Sequence, residues 1–137
     1  FQFKMLSNLV FKKSFSLHNF EYINKYKSKD IADRQRESSN VIIKYPDRVP
    51  VIVDTNDNSS FNEKLDKHKF VVPDTLSVSE FVIIIRKRLR IDSSKAIFVF
   101  CGNTILVGTM LIRHIYDQYK EEDGFLYLIY KAESTYG

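Results

Sequence analysis

Cysteine, glycine and long apolar runs are scarce in this chain, and each scarcity closes off a class of function. The only cysteine, Cys101, lies inside the apolar stretch IFVFC. A disulfide framework and a thiol pair for a metal are therefore both excluded, and a reducing intracellular compartment is expected. Four glycines, none clustered, leave no phosphate-cradling loop. No apolar run approaches the ~20 residues that a transmembrane helix needs. What remains is a chain of 137 residues, 44% hydrophobic and 28% charged, which suits one globular domain with a real core.

Charge is unevenly spread. Residues 1–30 hold six lysines against Glu21 and Asp30, which leaves +4, the net charge of the whole chain; residues 31–137 therefore balance. A pI near 9 suggests nucleic acid, but the neutral main domain gives no support, and no nucleic-acid partner is expected. Residues 1–30 show no sustained apolar period and are expected to be a basic, weakly ordered leader. Its stretch from Met5 is free of acids and loosely resembles a transit peptide; a plain extension is the alternative.

The domain is expected to run from 31 to 137. IADRQRESSNVIIKY carries charges at helical spacing and stops before Pro46. VPVIVD (49–54) and KFVVP (69–73) have strand patterns, and Pro50 should place the first of them at an edge or bulge. LSVSEFVIIIRKRLRI opens with Ser77 and Glu80 at capping-box spacing, so a helix over about 78–90 turns Val78, Phe81, Val82, Ile85 and Leu89 inward. Ile83 and Ile84 fall off that stripe. AIFVFC is a strand, Gly102-Asn103 a hairpin turn into TILV, and Thr109 a cap for a helix in MLIRHIYDQYK. FLYLIYK has no charged residue before Lys131 and should be a central strand buried on both faces. The order β-β-α-β-β-α-β with its last strand in the middle is an α+β fold, a β-grasp or ubiquitin-like core with an additional N-terminal helical segment.

Catalytic residues are not expected. Cys101 reads as an inert core thiol, His68 as a solvated residue of KLDKHK, and His114 as a residue on the face of an amphipathic helix. Glu121, Glu122 and Asp123 read as a solvated turn at a helix end rather than a metal site, and no cofactor is called for.

KYPDRVPVIVD (44–54), LDKHKFVVP (65–73), FVIIIRKRLRI, EEDGFLYLIY and the closing ESTYG, in that order, resemble the autophagy ubiquitin-like modifiers, the GABARAP and microtubule light-chain group, from about Ile31 to Gly137. The resemblance implies a modifier without catalysis of its own. By that resemblance an E1-like enzyme would activate its terminal glycine, here Gly137, and an E2-like enzyme would pass it to phosphatidylethanolamine. A cysteine protease would expose the glycine and remove the lipid. It implies a cytoplasmic protein that moves to the autophagosomal membrane when lipidated. Glycine suits such a tail because an enzyme channel must close tightly on a residue without Cβ, and a two-chain lipid gives the stable anchoring that one acyl chain does not.

The resemblance also implies a site for cargo receptors carrying short aromatic-x-x-aliphatic peptides, often preceded by acids, added as a strand to an open sheet edge. The aromatic pocket would comprise Glu37, Val41, Pro50, Ile52, Lys69, Val71 and Phe125. The aliphatic pocket would comprise Phe70, Val72, Pro73, Leu76, Phe81, Ile84 and Arg88, with Arg48, Lys67 and Lys69 meeting the acids. Core packing is the competing role for most of these apolar positions. In KFVVP one parity must face inward, and pattern alone leaves both assignments open. A buried aromatic anchor removes ~150–250 Å², a gross gain of ~4–6 kcal/mol, much of it consumed by association and ordering; salt-sensitive binding in the micromolar range is expected.

The chain departs from the family pattern at Leu106 and Val107, where two prolines are usual, which should leave the following loop less constrained. Ile31 stands where an aromatic often begins the second helix, and Val41, Ile42 and Ile43 are β-branched where helix is expected. FKML (3–6) and FEYI (20–23) carry the ligand spacing themselves, a pattern short enough to arise by chance. Two rival readings stay open: a modifier joined to a protein lysine, and a non-conjugated peptide- or microtubule-binding adaptor that uses the leader lysines.

Overall fold

The computed structural model describes residues 20–56 and 65–134. The elements run α1 (Glu21–Lys27), α2 (Ile31–Lys44), β1 (Arg48–Asp54), β2 (Lys69–Pro73), α3 (Val78–Leu89), β3 (Lys95–Cys101), β4 (Thr104–Ile105), α4 (Ile112–Tyr119) and β5 (Leu126–Ser134). One five-stranded sheet has the order β2-β1-β5-β3-β4. β1 and β5 are parallel, and every other neighbouring pair is antiparallel. This is the β-grasp expected from the sequence, with β5 at its centre and two helices ahead of it.

Two apolar layers cover the sheet. Alternate residues of β1 and β5 (Val49, Val51, Val53; Leu126, Leu128, Tyr130) pack with α3 and α4 into the larger core. The opposite parity, Ile52, Tyr127 and Ile129, meets Phe20, Ile23 and Tyr26 of the α1 segment. β5 feeds both layers, which is why its sequence is apolar without alternation.

The capping box forms as its spacing required: Ser77 Oγ accepts from the Glu80 amide at 3.2 Å, and Glu80 accepts from the Ser77 amide at 3.0 Å. Val78, Phe81, Ile85 and Leu89 are buried, while Val82 and Ile84 are half-buried and Ile83 exposed. In α2, Asp30 supplies the cap, and the β-branched run stays helical through Lys44.

Several expectations need correction. Pro50 is not at an edge, because β1 lies between β2 and β5. The amide of Val53 bonds the His68 carbonyl and that of Asp74 the Asp47 carbonyl. Odd-numbered residues of β1 therefore face β2, and Pro50 turns its donorless nitrogen towards β5, one residue before that ladder begins at Val51 and Leu126. Thr109 caps nothing: α4 begins at Ile112 behind Leu111, with no side-chain cap. Nor is the loop before α4 loose. Leu106 donates to Val99, Met110 to Val107, Ser79 to Gly108 and Val78 to Met110, so backbone bonds take over the constraint that proline would supply.

The last part of the supposed leader is built into the fold. Phe20, Ile23 and Tyr26 recur every three residues and bury one side of α1. The buried carboxylate of Asp54 accepts from the Ile23 amide at 3.0 Å, at the end of α1 where amides lack helical partners. FEYI thus begins a helix packed on the sheet face, not a strand along its edge; FKML lies outside the described residues. His68 is not simply solvated either: its ring stacks on Tyr22 with centroids 4.1 Å apart, and Nδ1 lies 2.8 Å from the Val53 carbonyl oxygen.

Candidate peptide-docking edge

Among the described residues β2 is paired only with β1, so its other side is an open edge. Its side chains alternate. Phe70 and Val72 are buried with α3, their rings and methyls joining the larger core, while Lys69, Val71 and Pro73 are half-buried on the α2 side. The backbone groups alternate as well. Since His68 bonds β1, the groups of Lys69 and Val71 point outward. One outward acceptor is occupied: Arg48 Nη1 donates to the Val71 carbonyl at 3.3 Å.

The residues named for the aliphatic pocket separate into two groups. Phe70, Val72 and Phe81 are core, the two phenyl rings meeting edge-on at 5.7 Å. Leu76 and Ile84 are half-buried and Arg88 is exposed on the α3 side of the strand, whereas Pro73, also half-buried, shares the parity of Lys69 and Val71. Arg88 pairs with Asp66 at 3.5 Å. Lys67 lies over the Phe70 ring, 5.2 Å from its centroid.

The aromatic pocket lies across β2, on the α2 side, and it also divides. Ile52 is 0% exposed and Phe125 2%, and Pro50 is buried. Glu37, Val41, Lys69 and Val71 are the half-buried members. Lys69 Nζ donates to Glu37 Oε2 at 2.6 Å, and the Tyr26 hydroxyl donates to Glu37 Oε1 at 2.5 Å. Burial alone would raise the Glu37 carboxyl, but the bonds from Lys69 and Tyr26 outweigh it and hold the group below its ordinary value. Burial, reinforced by the Glu37 carboxylate, pushes the Tyr26 phenol far up.

Tyr26 and Lys29 were not named from the sequence. Lys29 Nζ lies 5.4 Å from the Tyr26 ring centroid, which adds a second cation at the Glu37 side of the edge. The three-residue apolar spacing of Phe20, Ile23 and Tyr26 was the available signal, submerged in a segment that has no longer period.

The acidic turn is a joint rather than a solvated end. Asp123 is 1% exposed. It takes Arg34 Nη1 at 2.7 Å, the Phe125 amide at 3.0 Å and the Tyr127 hydroxyl, while its carbonyl accepts from Ser38 Oγ at 2.6 Å. Lys27 pairs with Glu121 at 2.7 Å. These contacts tie α1 and α2 to the start of β5 and so fix the α2 wall of the aromatic pocket. Cys101 is half-buried against the larger core, and burial pushes its thiol up to about 12, consistent with an inert group. His114 is exposed on α4. Among the described residues no cluster of three or more His, Cys, Asp or Glu could hold a metal, and no helix is long and apolar enough to cross a membrane. Gly137 lies outside the described residues.

Comparison with known proteins agrees with this architecture. The family model described as "Autophagy protein Atg8 ubiquitin like" matches residues 33–137. Autophagy-related protein 8c of Arabidopsis thaliana is 47% identical over 104 residues, covering 76% of this chain and 87% of the plant protein. Autophagy-related protein 8 of Scheffersomyces stipitis is 45% identical over 104 residues, covering 76% of this chain and 74% of the yeast protein. The crystal structure of Trypanosoma brucei ATG8 superposes with a TM-score of 0.73 at 38% identity, covering 81% of this chain and 95% of that one. The chain therefore belongs to the Atg8 family of ubiquitin-like autophagy proteins.

Proposed function

We propose that this protein is a modifier joined through the carboxyl group of Gly137 to phosphatidylethanolamine, and that it gathers cargo receptors and autophagy factors carrying acidic aromatic-x-x-aliphatic peptides. In this reading the protein performs no catalysis itself. An E1-like and an E2-like enzyme carry the tail to the lipid, and a cysteine protease trims and releases it. Cytoplasmic and autophagosomal pools correspond to the free and lipidated forms.

The observation that carries the peptide reading is the open β2 edge with different surfaces on its two sides. An added strand would bond Lys69 and Val71 and compete with Arg48 for the Val71 carbonyl. Residues three apart in a strand point to opposite faces. An aromatic could then turn towards Glu37, Val41 and Val71 while the aliphatic turned towards Leu76 and Ile84. Acids ahead of the aromatic would meet Lys69, and Arg48, once released, would become available to them; Lys67 stands on the other side of the strand. The buried residues Ile52, Phe125, Phe70, Val72 and Phe81 would support these surfaces from below.

Titration of an acidic aromatic-x-x-aliphatic peptide into wild type and Lys69→Glu tests the groove. Micromolar binding that Lys69→Glu weakens at least tenfold is expected, and equal affinities would remove the assignment. Incubation with purified conjugation enzymes and liposomes tests the tail. A product of lipid-adduct mass, absent from Gly137→Ala, is expected. A protein-lysine adduct, or no adduct at all, would favour one of the two rival readings instead.

A further inference from the structure

Tyr26 stands between the mouth of the aromatic pocket and its supposed floor. Its ring meets Phe125 edge-on, with centroids 5.4 Å apart. Lys69 Nζ sits 4.7 Å from the centroid of the same ring, and the ring's hydroxyl is bonded to Glu37. Glu37 and Lys69 are the half-exposed pair at the entrance, whereas Ile52 and Phe125 are closed off beneath. A ligand ring that enters as Lys69 swings aside therefore arrives at Tyr26 before it can reach Phe125.

We propose that Tyr26 is a ligand-contacting, specificity-determining residue, the aromatic platform on which the peptide's aromatic side chain rests. The inference depends on the peptide-docking reading of the β2 edge. It adds to that reading a residue of α1 that precedes the family match at residues 33–137. Tyr26 is 3% exposed, with Tyr22 stacked on its ring, Phe125 edge-on to it and Lys69 over it, and Lys69 is bound there by an ion pair at the surface. Such a pair holds weakly against a competing acid. An acidic group on the ligand would draw Lys69 off the ring. Glu37 would keep the Tyr26 hydroxyl as donor, so its carboxylate would not be stranded when the lysine leaves. The vacated ring face then receives the ligand's aromatic, replacing a cation–π contact with an aromatic pair. Lys29, the second ammonium near this ring, would help hold the incoming acid.

A double-mutant cycle tests this, with an acidic peptide carrying either phenylalanine or leucine at the aromatic position, titrated into wild type, Tyr26→Phe and Tyr26→Leu. Replacing the peptide's phenylalanine by leucine should cost about two- to tenfold more affinity on wild type and Tyr26→Phe than on Tyr26→Leu, the range expected for an aromatic pair. Equal costs on all three proteins would overturn the proposal. If Tyr26→Leu does not fold, intermolecular nuclear Overhauser contacts in the wild-type complex decide. Contacts from the peptide ring to the Tyr26 ring support the platform, and contacts to Phe125 with none to Tyr26 overturn it. Failure of both peptides to bind wild type would instead remove the docking edge itself, an outcome distinct from a cycle that shows binding without coupling.

Discussion

Gly124 follows the buried Asp123 with its Cα directed at Ser38: a Cβ built on Gly124 would lie 2.4 Å from Ser38 Oγ. Gly124 also has φ +84°, a left-handed backbone that side chains rarely adopt. The same serine donates to the Asp123 carbonyl, so the contact of α2 with the turn before β5 depends on a missing side chain. Gly124→Ala should lower stability by about 1–2 kcal/mol from the backbone alone, with a further loss from the clash. Chemical denaturation measures it. Adding Ser38→Gly should relieve the clash but not the backbone term, so recovery should be partial.

Asp123 should be the costliest polar residue to truncate. Asp123→Ala leaves Arg34, the Tyr127 hydroxyl and the Phe125 amide without this acceptor, in a largely buried site. Breaking a buried ion pair in this way typically costs about 3–5 kcal/mol. A lowered denaturant midpoint with an unchanged slope is the expected result.

Acid should loosen the α1–α2–β2 contact through Glu37. Its folded-state pKa is depressed, so its stabilisation is present above the ordinary carboxyl value of 4.5 and is lost as pH falls through the folded value. Glu37→Gln should therefore melt below wild type at pH 6 to 7, and the two curves should converge towards acid. The midpoint of thermal unfolding, followed against pH, tests the sign. Because the Glu37 and Lys69 side chains are 37% and 36% exposed, the gap should shrink in high salt.

At the alkaline end the sign reverses. Tyr26 and Tyr127 are raised above 10.0, first by burial and then by their carboxylate partners Glu37 and Asp123. Stability from these phenols is complete below that value and is lost as the unfolded chain sheds protons above it. Phenolate absorbance should show Tyr26 and Tyr127 ionising only in the unfolding transition. Tyr127→Phe should reduce the steepness of that transition.

The helix and strand patterns were readable where a single packing face controls them. Ser77 and Glu80 fix the start of α3 through contacts three residues apart, and the apolar β5 required cover on both faces. The roles of Pro50, Asp123 and Tyr26 are not legible in the sequence for a common reason. Whether a proline nitrogen faces a neighbouring strand, whether a carboxylate is met by an arginine 89 residues away, and whether a short apolar period finds a sheet to cover are decided by the partners that the fold brings up.

The same division holds for the docking edge. Local chemistry alone specified the capped helix, the uniformly apolar last strand and the residue types from which a ubiquitin-like sheet is made, since each depends on neighbours within a few positions. Only the assembled sheet decided that Phe70 and Val72 turn inward, that Lys69 and Val71 turn to α2, and that Tyr26 lies beneath Lys69. A strand's period of two defines two faces but not which is buried, and the choice falls to the elements packed on either side.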